Sequence, residues 1–147
     1  HREKLNQSKT WARAPIPINV CDYFFRSFLH EVVPACHEQD TGVLGMKSLG
    51  GGVEGKIPAS GLVTAKQCLR FSLSQPISSL VVGLRSEDDL TQALDVGRDF
   101  QSLTRDEQAQ IFAKVKVAAG DGRHELFKTS KNFDGPYHRR QHGFSVE

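Results

Sequence analysis

Short apolar runs alternate along the chain with longer amphipathic segments, and this alternation constrains the fold more than any other feature. The apolar runs occupy residues 16–20, 42–46 and 77–82, and segments with helical spacing follow them. Such alternation is typical of βα units, in which parallel strands are joined by helices. The pattern therefore predicts an α/β fold with three strands.

Three helix starts are marked by capping boxes, in which a hydroxyl accepts one orphan backbone amide and the side chain three residues later accepts another. An earlier helix is expected to begin at Asp22, to be disturbed by Pro34 and to end near Gln39. The predicted boxes pair Thr64 with Gln67, Ser86 with Asp89, and Thr104 with Glu107.

The organisation predicted from these signals is a partial domain over residues 15–120, preceded by residues 1–14, which lie outside the pattern. After Gly120 the periodic signal ends, and residues 121–147 are expected to form an irregular tail. Three parallel strands would leave two unpaired edges and one bare face. A complete (βα)8 barrel takes about 250 residues. We therefore expect an incomplete TIM barrel made of about three C-terminal βα units, extra helices and the tail. A first residue of His1 rather than Met also suggests a fragment or a processed product.

Composition narrows the class of protein. The chain is 38% hydrophobic and 24% charged, a composition typical of globular proteins. Its formal net charge of +2 does not indicate a basic surface of the kind that binds nucleic acid. No apolar run approaches the roughly 18 residues that a membrane span requires. The odd cysteine set, Cys21, Cys36 and Cys68, lies in hydrophobic segments and predicts buried reduced thiols in a cytoplasmic protein.

Two loops are candidate sites. Residues 50–56 match the glycine and lysine spacing of a triphosphate-binding loop, but Ile57 replaces its Ser or Thr, and Pro58 opposes the helix that should follow. These glycines either let a loop turn or let the backbone approach a bound pyrophosphate. Arg85 and Ser86 lie between a predicted strand and a predicted helix, and this position could bind an anion at the helix start. The other interpretation is an ordinary turn in which the arginine is solvated.

Metal binding and nucleophilic catalysis receive no support from the histidines and cysteines. None of these groups has a zinc spacing, so surface or core histidines are the favoured interpretation. The basic tail segment Arg139-Arg140 is expected to be solvated, with a phosphate contact as the alternative. The histidines and cysteine considered are His30, Cys36, His37, His138 and His142.

An ordered series of segments resembles the bacterial-type oxidoreductase branch of the aldo/keto reductase family. The similarity extends from about Pro17 to the C-terminus, and residues 1–14 do not match. The segments that carry it are residues 17–19, 26–28, 42–47 with the glycines that follow, 68–73, 81–86, 125–129 and 133–135.

The resemblance implies a βα barrel that transfers a hydride between NADP or NAD and a small carbonyl or alcohol substrate, without a metal. It also implies that the chain lacks the family's tetrad of Asp, Tyr, Lys and His, so that it is inactive alone; neither Lys47 nor Tyr23 takes those roles. A missing N-terminal half or another chain would cover the open sheet. The cofactor-binding residues that it implies are Met46, Ser48, Leu49, Gly50, Gly51, Gly83, Leu84, Arg85, Ser86, Asp89 and Gln92.

Three positions depart from the family's pattern. Pro15 stands where a glutamine usually binds the carboxamide, and Met46 stands where many relatives stack an aromatic ring on the nicotinamide. Asp89 replaces an arginine common in NADPH enzymes and would repel the 2′-phosphate, which leaves NAD open. The alternative hypothesis is a non-catalytic remnant that acts as an interaction or nucleotide-binding module.

Overall fold

The fold is α/β, with a small parallel sheet and helices. A computed structural model describes residues 12–51 and 56–129 of the 147-residue chain. In chain order its elements are β1 (Arg13–Pro17), a 3₁₀ turn (Asp22–Phe24), α1 (Phe28–Glu31), α2 (Val33–Glu38), β2 (Gly42–Met46), α3 (Lys56–Ala59), α4 (Ala65–Leu73), β3 (Ser79–Leu80), α5 (Glu87–Arg98), α6 (Arg105–Ala119) and α7 (Leu126–Thr129).

The three strands pair in the order β1-β2-β3, and both pairings are parallel. Arg13 lies opposite Gly42, and Leu44 lies opposite Ser79. Consecutive strands are thus spatial neighbours, and all three carboxyl ends meet at one edge of the sheet. This edge is where the two candidate loops leave β2 and β3.

The strand bounds agree with the sequence at β2 and differ at its two neighbours. The prediction placed the first strand at residues 16–20, but β1 runs from Arg13 to Pro17. Two prolines are tolerated there because β1 is an edge strand. Proline lacks a backbone N–H, and on the open side of an edge strand this group has no strand to bond to. The third strand, expected over residues 77–82, is reduced to Ser79–Leu80. Backbone bonds from Ser78 to Val43 and from Val81 to Gly45 extend this pairing.

The two faces of the sheet differ in burial. Ala14, Ile16 and Val43 are buried and form one hydrophobic cluster with Cys36 and its neighbours in α2. Side chains alternate between faces along a strand, so Pro15, Leu44 and Met46 point to the other side. On that side Pro15 is exposed, and Leu44 and Met46 are half-buried.

The predicted helix after β1 is broken into three short pieces. Asp22 does not open a long helix. Its carboxylate accepts hydrogen bonds from the Ser27 hydroxyl at 3.0 Å and from the amides of Phe28 at 3.0 Å and Leu29 at 2.9 Å. It therefore fixes the start of α1 from six residues upstream. Pro34 lies in the first turn of α2, where its missing amide costs no helical hydrogen bond.

The capping-box predictions are confirmed at α4 and α6. The reciprocal bonds between Thr64 and Gln67 are both present, as are those between Thr104 and Glu107. At α5 only half of the box forms. The Ser86 hydroxyl accepts from the amide of Asp89, but the Asp89 carboxylate accepts from the amide of Arg85.

A second hydrophobic cluster joins α4, α6 and the turn after β1. Phe71 is completely buried there, and its ring lies 5.8 Å from that of Phe112. The Ser72 hydroxyl donates to the carbonyl of Ile18 at 2.8 Å, which fastens α4 beside the end of β1. The predicted buried thiols are confirmed, because Cys21, Cys36 and Cys68 are free and buried.

Residues 122–129 depart from the predicted irregular tail. Gly122 and Glu125 are buried, and α7 follows directly. Predictions that concern residues 1–11, 52–55 and 130–147, including His138, Arg139, Arg140 and His142, lie outside the described residues. Within the described ranges, no helix combines the length and the apolar character needed to cross a membrane.

Candidate functional site

A cleft of about 120 Å³ lies at the carboxyl edge of the sheet, between the loop after β2 and the segment after β3. Parallel strands bring these two segments together because their carboxyl ends lie side by side. The cleft is lined by Lys47, Ser48, Leu49, Gly51, Val81, Gly83 and Arg85. A space of this size suits a group such as a diphosphate, since a complete small-molecule pocket measures about 300–1,000 Å³.

The loop after β2 owes its path to positive φ angles. Lys47 has φ 55°, Gly50 has φ 85° and Gly51 has φ 72°. A side chain at Gly50 would also lie 2.8 Å from Cγ1 of Ile57 and 3.2 Å from the carbonyl oxygen of His124. Gly50 is therefore required for both conformation and packing. It holds the loop in place without lining the cleft.

Two cationic side chains supply the positive charge of the cleft. Arg85 has a side chain that is 51% exposed, and its Nε lies 4.0 Å from Oδ2 of Asp89. The ammonium of Lys47 lies 4.2 Å from the centre of the Phe127 ring. Burial lowers the pKa of Lys47. The two cations come from different loops, and both residues line the cleft.

Ser48 is the buried polar group of the cleft. The residue is 2% exposed, and within the described part of the chain no hydrogen bond to its hydroxyl is formed. A buried hydroxyl without a partner costs about 1–3 kcal/mol. A hydroxyl of this kind at a cleft is satisfied when it donates a hydrogen bond to a ligand oxygen.

The start of α5 contributes less positive potential than its position in the sequence indicates. Its first turn carries Glu87, Asp88 and Asp89, and these carboxylates already compensate the positive end of the helix dipole. Attraction for an anion must therefore come from Arg85 and Lys47 and not from the helix end.

The structure brings five of the predicted cofactor-binding residues together at the cleft, namely Ser48, Leu49, Gly51, Gly83 and Arg85. A Cβ at Gly83 would meet no described atom within 4 Å, so the space beside it is open. Lys47 and Val81 also line the cleft and were not predicted to do so. Their position at strand ends is the signal that would have found them.

The other six predicted residues do not line the cleft. Met46 ends β2 opposite Pro17. Gly50 packs on Ile57. Four more lie in the turn into α5 or along that helix, and they are Leu84, Ser86, Asp89 and Gln92.

The histidines considered as metal ligands make structural contacts. The ring of His30 packs 4.4 Å from that of Tyr23, and Nε2 of His37 lies 3.1 Å from the carbonyl oxygen of Pro76. Among residues 12–51 and 56–129, no group of three or more His, Cys, Asp or Glu side chains could hold a metal ion.

A buried ionic cluster of Asp22, Glu125 and Lys128 lies next to the loop after β1, and sequence analysis missed it. The ammonium of Lys128 contacts Oδ1 of Asp22 at 2.6 Å and Oε2 of Glu125 at 2.9 Å, and all three side chains are at most 2% exposed. Asn19 donates to Oε1 of Glu125 at 2.9 Å. Burial raises the pKa of Glu125, and the bonds from Lys128 and Asn19 oppose that shift.

Comparison of the chain with models of known protein families, with curated proteins and with solved structures finds no significant match.

Proposed function

We propose that the chain is the C-terminal part of an NAD(P)-dependent aldo/keto reductase, and that the cleft holds the phosphates of the nicotinamide dinucleotide. In this proposal the three strands belong to an incomplete (βα)8 barrel. The ordered sequence resemblance supports it, as does the parallel order β1-β2-β3, which is the neighbour relation of consecutive barrel strands.

One observation carries the proposal, which is that a single cleft joins the two loops to which the resemblance assigns phosphate binding. Ser48 and Gly51 reach it from the loop after β2, and Gly83 and Arg85 reach it from the segment after β3. Ser48 and Gly83 are about 35 residues apart in sequence, and they share a cleft because the fold brings the ends of β2 and β3 together. Phosphate sites in βα barrels are commonly built from the last two such loops.

The residues suit a pyrophosphate. Arg85 and Lys47 provide charge, Ser48 provides a hydroxyl donor that has no described partner, and the glycines leave the backbone accessible. The bound dinucleotide would supply the hydride for reduction of a carbonyl. The volume of the cleft, about 120 Å³, leaves the nicotinamide and adenosine to be contacted by other parts of the protein.

Carbonyl reduction also needs a group that donates a proton to the substrate oxygen. The resemblance assigns this role to a tetrad in the first four strands of the barrel, and no segment of this chain is similar to them. In the proposal, a preceding N-terminal half supplies that machinery and covers the half-buried face of the sheet, where Leu44 and Met46 lie.

The proposal is tested by titrating the chain with NADPH and NADH and comparing it with an Arg85→Ala variant. Loss of a charge-assisted bond to phosphate removes about 1.5 kcal/mol or more, so binding should weaken about tenfold. Arg98→Ala, at the other end of α5, is the matched control and should bind normally. Absence of saturable binding, or equal loss in both variants, would contradict the proposal.

The second candidate function is a non-catalytic module that binds another chain through its open sheet. Exposed apolar side chains favour association with another chain: Val81, directly after β3, is 57% exposed, and Leu90 and Leu94 of α5 are 43% and 42% exposed. This candidate predicts that the same titration shows no dinucleotide binding while the chain still associates with a partner.

A further inference from the structure

Residues 122–129 connect the loops that follow β1 and β2. Arg26, after β1, donates from Nη1 to the carbonyl of Lys128 at 3.0 Å. A Cβ at Gly122 would lie 2.7 Å from the Phe25 ring, so the backbone passes very close to that loop. The carbonyl of His124 approaches Gly50 in the loop after β2. The segment is thus fastened to both loops.

Phe127 is the residue of this segment whose side chain contacts a cation of the cleft. Its ring centre lies 4.2 Å from the ammonium of Lys47, within the range of a cation–π interaction. Lys47 itself lines the cleft. A long lysine side chain has many conformations, and contact with a fixed ring restricts where its charge lies.

The buried ionic cluster fixes Phe127 through its neighbour. Lys128 directly follows Phe127, and its ammonium contacts Asp22 at 2.6 Å, Glu125 at 2.9 Å and the carbonyl of Phe25 at 2.8 Å. All three donor positions of the ammonium are therefore occupied. The backbone on which Phe127 stands has little freedom to move.

We propose that Phe127 is a positioning residue that holds the Lys47 ammonium at the cleft, and that the buried ionic cluster holds Phe127 in place. The consequence for ligand binding rests on the proposed function, whereas the geometry does not. Removing the ring should remove this restraint on the Lys47 ammonium without removing its charge.

The first test measures Lys47 directly by NMR. Protons that lie over an aromatic face are shifted upfield, so the ε-methylene signals of Lys47 should be displaced in the unmodified chain. Phe127→Leu should abolish the displacement, and Phe127→Tyr, which keeps the ring, should preserve it. Unchanged Lys47 signals in Phe127→Leu would overturn the positioning role.

The second test uses inorganic pyrophosphate as the probe. Phe127→Leu should bind it about two- to fivefold more weakly, as expected for loss of a cation–π contact, and Phe127→Tyr should bind normally. The unmodified chain could fail to bind pyrophosphate while Phe127→Leu still abolishes the upfield displacement of the Lys47 signals. That result would contradict the proposed function and support the positioning role of Phe127. Equal pyrophosphate affinity of the chain and Phe127→Leu would refute the link to the ligand.

The role of the cluster is tested with Glu125→Gln and Lys128→Met. Both variants should reduce the upfield displacement of the Lys47 signals although Phe127 is retained. Lys128→Met leaves two buried carboxylates without a cation, so circular dichroism must first show that it folds. If it does not fold, Glu125→Gln decides alone. A folded variant with native Lys47 signals would overturn the role of the cluster.

Discussion

At the scale of single residues, Asp89 contacts both a helix cap and a cleft cation. Its amide donates to Ser86 at 3.1 Å, and its carboxylate accepts from the amide of Arg85, also at 3.1 Å. The same carboxylate lies 4.0 Å from the Arg85 guanidinium. It therefore reduces the charge that Arg85 can offer to a second phosphate.

We predict that Asp89→Asn raises the affinity for NADPH relative to NADH. The 2′-phosphate is present only in NADPH, and repulsion between it and a carboxylate at about 4 Å in a solvated site costs about 1 kcal/mol, so the ratio should change about fivefold. Asparagine keeps the oxygen that accepts from Arg85. Asp88→Asn, in the same turn, is the control and should leave the ratio unchanged. A clear preference of the unmodified chain for NADPH would refute this role of Asp89.

The buried thiols also make a prediction at this scale. Burial raises the pKa of Cys21 and of Cys68 from 9.0 to about 12. Thiolate is the reactive form, so at pH 8 the folded protein presents very little of it at either site. A disulfide reagent should modify these cysteines only after unfolding in urea. Fast modification of the folded chain would contradict their burial.

The sign of the linked pH effect follows from the same shifts. Because the folded thiols keep their protons above pH 9 while the unfolded ones lose them, the free energy of unfolding should fall as the pH rises from 9 toward 12. Cys68→Ala should make this fall less steep in urea titrations at several pH values.

At the scale of elements, the helix cap at the start of α6 also makes a contact with another helix. Thr104 and Glu107 satisfy two amides at the start of α6, and Glu107 also binds Arg70 of α4 at 2.8 Å. These bonds hold the pKa of Glu107 down at about 2, with the Arg70 hydrogen bond as the largest cause. The cap thus joins α4 and α6, which both contribute to the second hydrophobic cluster.

We expect Thr104→Ala to lower the free energy of unfolding by about 1 kcal/mol, because it removes the hydroxyl that accepts from the amide of Glu107. Urea denaturation followed by circular dichroism measures the change. Thr91→Ala, within α5 and exposed, is the matched control and should not lower the free energy of unfolding, because alanine favours a helix more than threonine does. An equal effect at both positions would show that the cap does not stabilise the fold.

Helix starts were predictable because a capping box is written in four consecutive residues. The limits of the strands were less predictable from the sequence. Pro15 and Pro17 disfavour a strand locally, yet β1 forms around them because Arg13 pairs with Gly42 from another part of the chain. Conversely, β3 pairs with β2 only at Leu44 and Gly45, so only Ser79–Leu80 remain of an apolar run of six residues.

At the scale of the whole molecule, the contacts that shape the site join distant residues. Lys128 and Asp22 are 106 positions apart, and neither belongs to a periodic segment that would identify it as buried. The cleft could be predicted in outline because parallel strands always bring their carboxyl ends together. The packing of residues 122–129 against the loops could not be predicted, because a buried ionic cluster has no local sequence pattern.

The central claim is that the cleft between the loops after β2 and β3 holds dinucleotide phosphates, and NMR titration of the ¹⁵N-labelled chain with NADH tests it most directly. We predict saturable shifts at the amides of Ser48, Leu49, Gly51, Gly83 and Arg85. Reduced nicotinamide mononucleotide, which lacks the pyrophosphate, should cause much smaller shifts. Saturable shifts elsewhere, or none at these amides, would contradict the account.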